Sequence, residues 1–144
     1  AYVCFRDNTN WCAAVVDKAP MPWGEEKRFL FQNHAVSMCE RTTGECISLD
    51  EAHYICAILN SPIVKKFIHQ SSDERSFKIR PPVYIPLYDP ANSDHARLAQ
   101  LSKTAHQNPQ EHEKLLEEIE TIYLKVCEKK VSIPEYKPNR KRKQ

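Results

Sequence analysis

Between Ile68 and Val83 the chain gathers His69, Gln70, Ser71, Ser72, Asp73, Arg75, Ser76, Lys78 and Arg80, with Lys65 and Lys66 just upstream. These residue types suit nucleic acid. Arg and Lys match guanine edges and phosphates, Gln matches adenine, and Ser and backbone amides match phosphates. Phe77 and Ile79 alternate with Ser76, Lys78 and Arg80. In an extended chain that puts the apolar pair on one side and the basic pair on the other, the geometry of a groove-facing edge. A solvated charged loop has the same composition, so the segment alone leaves both readings open. The run Arg140–Lys143 offers at most sequence-independent phosphate contact.

Other residues invite a different chemistry. His34, Cys39, Cys46, His53 and Cys56 are metal-ligating types, and His53 and Cys56 stand three apart as helical ligands would. There is no C-x-x-C knuckle and the gaps are irregular, so a zinc site is not expected. No cysteine is marked as an activated nucleophile beside a histidine. Glu25-Glu26-Lys27 lacks the upstream strand aspartate of a metal-dependent nuclease and reads as a solvated loop.

The elements that would position the basic segment can be read around it. Ser48 and Glu51 form a capping box ahead of a helix with Leu49, Ala52, Ile55, Cys56 and Leu59 at helical spacing. Asn60 and Ser61 interrupt it. Pro62 then starts a second short helix, capped by Ser61, with Ile63, Val64, Phe67 and Ile68 as its apolar side. Beyond the basic segment a Pro-rich strand holds Ile85-Pro86, and Asp89-Pro90 turns the chain into a third helix. Asn108-Pro109 breaks that helix, and Glu111–Lys129 carries an apolar stripe of Leu115, Leu116, Ile119, Ile122, Tyr123 and Val126. The N-terminal third reads as antiparallel β: Tyr2–Phe5, Trp11–Val16, Arg28–Gln32, Val36–Glu40, and a hairpin turn at Arg41–Gly44 leading to Glu45–Ile47. The expected class is α+β, with N-terminal antiparallel β hairpins packed with a central helix pair, a Pro-rich strand and two C-terminal helices.

EAHYICAILNSPIVKKFI, a basic loop, and VYIPLYDPANSDHARLAQLSK together resemble the C-terminal target-recognition region of bacterial adenine-N6 DNA methyltransferases. The resemblance is to fused restriction–modification enzymes with a TaqI-like specificity domain. It rests on Leu59-Asn60-Ser61-Pro62, Ile85-Pro86, Tyr88-Asp89-Pro90 and His95, in that order. It implies double-stranded DNA as partner, with the catalytic methyltransferase domain of the same parent chain as a second. The residues it offers for DNA contact are Lys65, Lys66, Gln70, Ser71, Ser72, Arg75, Ser76, Lys78 and Arg80. It also implies that the parent enzyme uses S-adenosylmethionine. The chain itself is expected to hold no cofactor, metal or catalytic residue. Arg80-Pro81-Pro82-Val83 only echoes the Asn-Pro-Pro-Tyr motif of amino-methyltransferases: arginine accepts no hydrogen bond and valine cannot stack on a flipped base.

Bulk composition sets the limits. The chain has 144 residues and a net charge of +2, so it is one domain and no general polyanion-coating protein. Two glycines leave little for phosphate-cradling loops. Six dispersed cysteines, without a leader or membrane-length apolar run, suggest a reducing cytoplasmic compartment, and the resemblance implies a bacterial one. Cys4 and Cys12 flank a turn, where two buried thiols are expected in preference to a disulfide. The start, Ala-Tyr-Val-Cys-Phe, falls inside a strand pattern, so residues 1–137 are read as a single recognition domain excised from a larger enzyme, with 138–144 a basic disordered tail. The expected function is sequence-specific duplex recognition for an adenine-N6 methyltransferase or restriction–modification enzyme, itself cleaving or not. The alternative is a protein-interaction module docking through Leu115–Val126.

Overall fold

Ser48 starts the central helix as its chemistry predicts. Its Oγ accepts a hydrogen bond from the Glu51 amide at 3.1 Å, and α1 runs Leu49–Asn60. Asp50 and Glu51 occupy the first turn, where the helix dipole favours negative charge. Beyond that turn Ala52, His53, Tyr54, Cys56, Ala57, Ile58 and Leu59 are all buried, so the helix is enclosed on nearly every side. An all-round apolar helix must be wrapped by other elements. Here they are the first two strands and the three other helices.

The computed structural model describes residues 1–6, 10–28, 35–38, 46–71 and 83–128, with side-chain detail for all of these but Arg28. Strands β1 (Tyr2–Arg6), β2 (Ala13–Val16) and β5 (Ala35–Met38) form a three-stranded antiparallel sheet in the order β2-β1-β5. Val3 and Phe5 point inward from β1, opposite Val15 and Ala13 of β2, and Trp11 packs its ring 4.8 Å from that of Phe5. Strands β3 (Lys18–Pro20) and β4 (Glu26–Arg28) make a separate hairpin in what the sequence suggests is a loop. The turn closes through Met21 and Gly24, whose φ of 91° is open to glycine without strain. Cys4 and Cys12 are free thiols, Cys12 exposed rather than buried.

Helix α2 spans Pro62–Ser71, α3 Ser93–Gln107 and α4 His112–Glu128, the last two separated by a 3-10 turn at Pro109–Glu111. Asn92 caps α3 by accepting from the Asp94 amide at 3.0 Å. Leu98, Ala99 and Leu101 of α3 and Ile119, Tyr123 and Val126 of α4 close the core over α1. The fold is α+β, with antiparallel strands at one end and helices around α1.

Three local expectations need correcting. Residues 83–89 join no sheet among the described residues. Pro86 has no amide hydrogen to donate to a ladder, and the carbonyls beside it are taken by side chains: Tyr54 donates to Pro86 O at 3.2 Å and Tyr123 to Tyr84 O at 2.8 Å. Ser61 does not cap α2 through its hydroxyl. That Oγ is buried without a hydrogen-bond partner among the described residues, and Ser61 serves instead through its carbonyl, 3.0 Å from the Lys65 amide. Glu45–Ile47 shows no strand at the two residues described, Cys46 and Ile47. The hairpin turn expected at Arg41–Gly44, most of Arg28–Gln32 and the C-terminal segment from Lys129 lie outside the described residues.

Candidate nucleic-acid interface

Helix α2 is short, so its placement depends on how α1 hands over to it. That junction is Leu59-Asn60-Ser61-Pro62, and each residue has a structural task. The Leu59 carbonyl, orphaned at the end of α1, accepts from Trp11 Nε1 at 2.7 Å. Asn60 clamps strand β2: its Nδ2 donates to Ala13 O at 2.7 Å while its Oδ1 accepts from Ala13 N at 3.0 Å. Pro62 occupies the first position of α2, where a missing amide hydrogen costs nothing.

Val64 and Ile68 bury the inner side of α2. Lys65 is half-buried on one flank, while Lys66, Gln70 and Ser71 are exposed. The helix contains no carboxylate. Ser71 Oγ turns back towards the Ile68 carbonyl at 3.5 Å, so it serves the helix end. Since a helix C-terminus carries partial negative charge, phosphate contact here would fall to Lys65 and Lys66. Thus four of the nine suggested DNA-contact residues share one short helix. Ser72, Arg75, Ser76, Lys78 and Arg80, with the Phe77/Ile79 alternation, lie outside the described residues.

The remaining resemblance-bearing residues knit the 83–95 segment to the core. Asp89 Oδ1 accepts from the Ala91 amide at 2.9 Å and its carbonyl accepts from Asn92, closing the turn before α3. His95 is buried, its Nδ1 accepting from the Asp89 amide at 3.1 Å and its ring 4.7 Å from that of Tyr54. The Tyr88 ring lies 5.3 Å from Tyr54 on the same cluster. Burial pushes the Tyr54 hydroxyl well above the ordinary tyrosine range, keeping it a neutral donor. The buried Asp94 is paired with Lys125 at 2.8 Å.

Two features had weak sequence signals. The first is a polar relay between α1 and α3, buried at His53 and Ser102 and open to solvent at His106. His53 Nδ1 lies 3.0 Å from Ser102 Oγ, and its ring meets that of His106 edge-on at 4.9 Å. His106 Nε2 accepts from the Val15 amide at 3.2 Å, which makes Nδ1 the protonated nitrogen, donating to Ser102 O at 2.7 Å. Burial first, then His106 and Lys103, push His53 down to about 4. Burial pushes the Cys56 thiol up to about 12, so it packs as an inert thiol against Ala13 O. His53 Nδ1 and the Cys56 thiol are engaged with Ser102 and Ala13, and His34 and Cys39 lie outside the described residues. Only the spacing of His53 and His106 on their helices could have hinted at the relay.

The second is an apolar groove of about 280 Å³ between α2, residues 83–84 and α4, lined by Ile63, Phe67, Tyr84, Tyr123 and Leu124. Phe67 is 43% exposed and Leu124 38%. The α4 stripe itself is turned inward at Ile119, Tyr123 and Val126. Among the described residues no helix is long and apolar enough to cross a membrane. No family model matches the chain, and no curated protein or solved structure matches it.

Proposed function

We propose that the chain is a DNA-recognition domain that supplies target specificity to an adenine-N6 methyltransferase or restriction–modification enzyme whose catalytic domain lies elsewhere in the parent protein. The observation that carries this reading is the division of labour around α2. The resemblance-bearing residues Asn60, Tyr88, Asp89 and His95 are consumed in packing and backbone hydrogen bonds. Helix α2, which follows the Asn60 clamp, presents Lys66 and Gln70 to solvent, with Lys65 at its flank and no carboxylate among them. It leads directly into the basic segment at residues 72–82. Lys65 and Lys66 would neutralise phosphates, and Gln70 could pair with an adenine edge.

Duplex binding tests this, measured by fluorescence anisotropy across salt concentrations in the whole chain. A variant that neutralises one phosphate fewer should show a log–log salt dependence flatter by about 0.9. Arg75→Ala and Lys78→Ala in the parent enzyme should alter methylation rate or site preference. Unchanged rate and preference in both would discard the loop assignment.

A protein-interaction module is the second reading, favoured by the exposed apolar groove at Ile63, Phe67, Tyr84 and Leu124 rather than by the inward α4 stripe. Contiguous apolar surface of this kind is common at interaction sites. Salt-insensitive or undetectable duplex binding, together with a weakened partner complex in Phe67→Ser, would favour it.

A further inference from the structure

Hairpin β3–β4 packs against none of the other strands or helices among the described residues. Its turn is fixed all the same. The Met21 amide donates to the Glu25 carbonyl at 2.8 Å, and the Gly24 amide donates to the Met21 carbonyl at 2.9 Å. Pro20 and Pro22 restrict the backbone on either side of Met21. At the tip stands Trp23, 67% exposed, more than any other aromatic ring among the described residues. A tryptophan on a turn held by its own hydrogen bonds has the form of an interface anchor, because docking it orders little further chain.

The groove between α2 and α4 is a matching hole. Its volume of about 280 Å³ is on the scale of one large side chain, and Ile63, Phe67, Tyr84 and Leu124 around it are partly exposed. Knob and hole are exposed in the same molecule, so neither fills the other within one copy. Their polar groups are matched as well. The indole Nε1 already donates to Glu25 Oε2 at 3.3 Å, and the Tyr84 carbonyl already accepts from Tyr123. Insertion of the ring therefore strands neither that donor nor that acceptor.

Charge complements shape. Residues 21–26 at the tip carry Glu25 and Glu26 and no cation, and the ion pairs of these carboxylates with Lys27 and Lys18 lie at the surface, where they hold weakly. Helix α2 carries Lys65 and Lys66 and no carboxylate, and Lys66 stands exposed beside Phe67.

We infer that the chain self-associates head to tail, Trp23 of one copy entering the Ile63–Phe67–Leu124 groove of the next. Such a contact joins two different surfaces, so each copy keeps one knob and one hole free to extend the assembly. One ring in one groove makes a small interface, well under about 1,200 Å², and the association is weak and concentration-dependent. The charge on Lys66 would serve phosphate where α2 meets DNA, so the association is read without nucleic acid and the two readings fail separately.

Sedimentation velocity of the whole chain tests it. The average mass should rise above the monomer as the concentration approaches about 1 mM, the range of contacts this small. Trp23→Ala and Phe67→Ser should each weaken association at least about tenfold, as loss of an anchor does. Both side chains are exposed, so thermal melts should stay close to that of the parent chain. Trp23→Ala keeps the groove and Phe67→Ser keeps the knob, so an equimolar mixture of the two should associate again and stop at a dimer. A parent chain that stays monomeric, association that survives Trp23→Ala, or a mixture as monomeric as its components would overturn the inference.

Discussion

Burial, followed by the neighbouring His106 ring and Lys103, holds His53 near 4, below the ordinary histidine value of 6.5. The unfolded chain therefore binds this proton more readily than the folded one. The stabilisation is complete above about pH 6.5 and is lost as pH falls towards 4. In urea titrations the chain should lose on the order of 1–3 kcal/mol more over that window than His53→Gln does. The charged groups nearby, Asp50 and Lys103, are paired with each other. Equal acid sensitivity in the two proteins would show that His53 is not the titrating group. A second residue-level prediction concerns Asn60. Replacing it with Ala leaves the Ala13 amide without its side-chain acceptor and the Ala13 carbonyl with only weak thiol donors, costing about 1–3 kcal/mol. A urea midpoint within error of the parent chain would mean that the clamp is dispensable.

At the scale of the element, α2 separates packing from surface chemistry, and the two respond to different substitutions. Ile68→Ala removes a buried side chain and should cost about 2–5 kcal/mol. Lys66→Ala should change stability by less than about 0.5 kcal/mol, since the side chain is exposed and forms no described ion pair. Ser48→Ala should cost about 1 kcal/mol by leaving the Glu51 amide uncapped. Thermal melts of these three variants check the separation. The helix boundaries are the most legible part of the sequence because they rest on local chemistry: Ser48 before Leu49, Pro62 at the start of α2, Asn108-Pro109 between α3 and α4. Residues 83–89 mislead because the β-branched and aromatic Val83, Tyr84, Ile85 and Tyr88 look like a strand. The deciding fact, Tyr54 and Tyr123 reaching their carbonyls from two helices, is tertiary.

At the scale of the molecule, pairing is less legible than class. The α+β composition follows from local periods, but β5 joins the far side of β1 across some thirty residues, which no local pattern specifies. The site is legible in part for the same reason. Lys65 and Lys66 can be placed on one helix from its period alone, whereas Gln70 and Ser71, expected in the basic loop, prove to lie on the last turn of α2, and the groove at Phe67 arises only where α4 meets α2. The sheet, the relay and the Tyr54 cluster leave α2 at the surface of a packed core with its polar side outward. If that face meets DNA, affinity must follow the ionic atmosphere of the duplex and not the apolar groove on the other flank.

The salt dependence of duplex binding, compared between the parent chain and Lys66→Ala, is therefore the most direct measurement. A DNA-contacting α2 requires binding that weakens linearly on log–log axes and a slope about 0.9 shallower in the variant, with unchanged thermal stability. Undetectable binding at low salt, or a slope identical in both proteins, would contradict it.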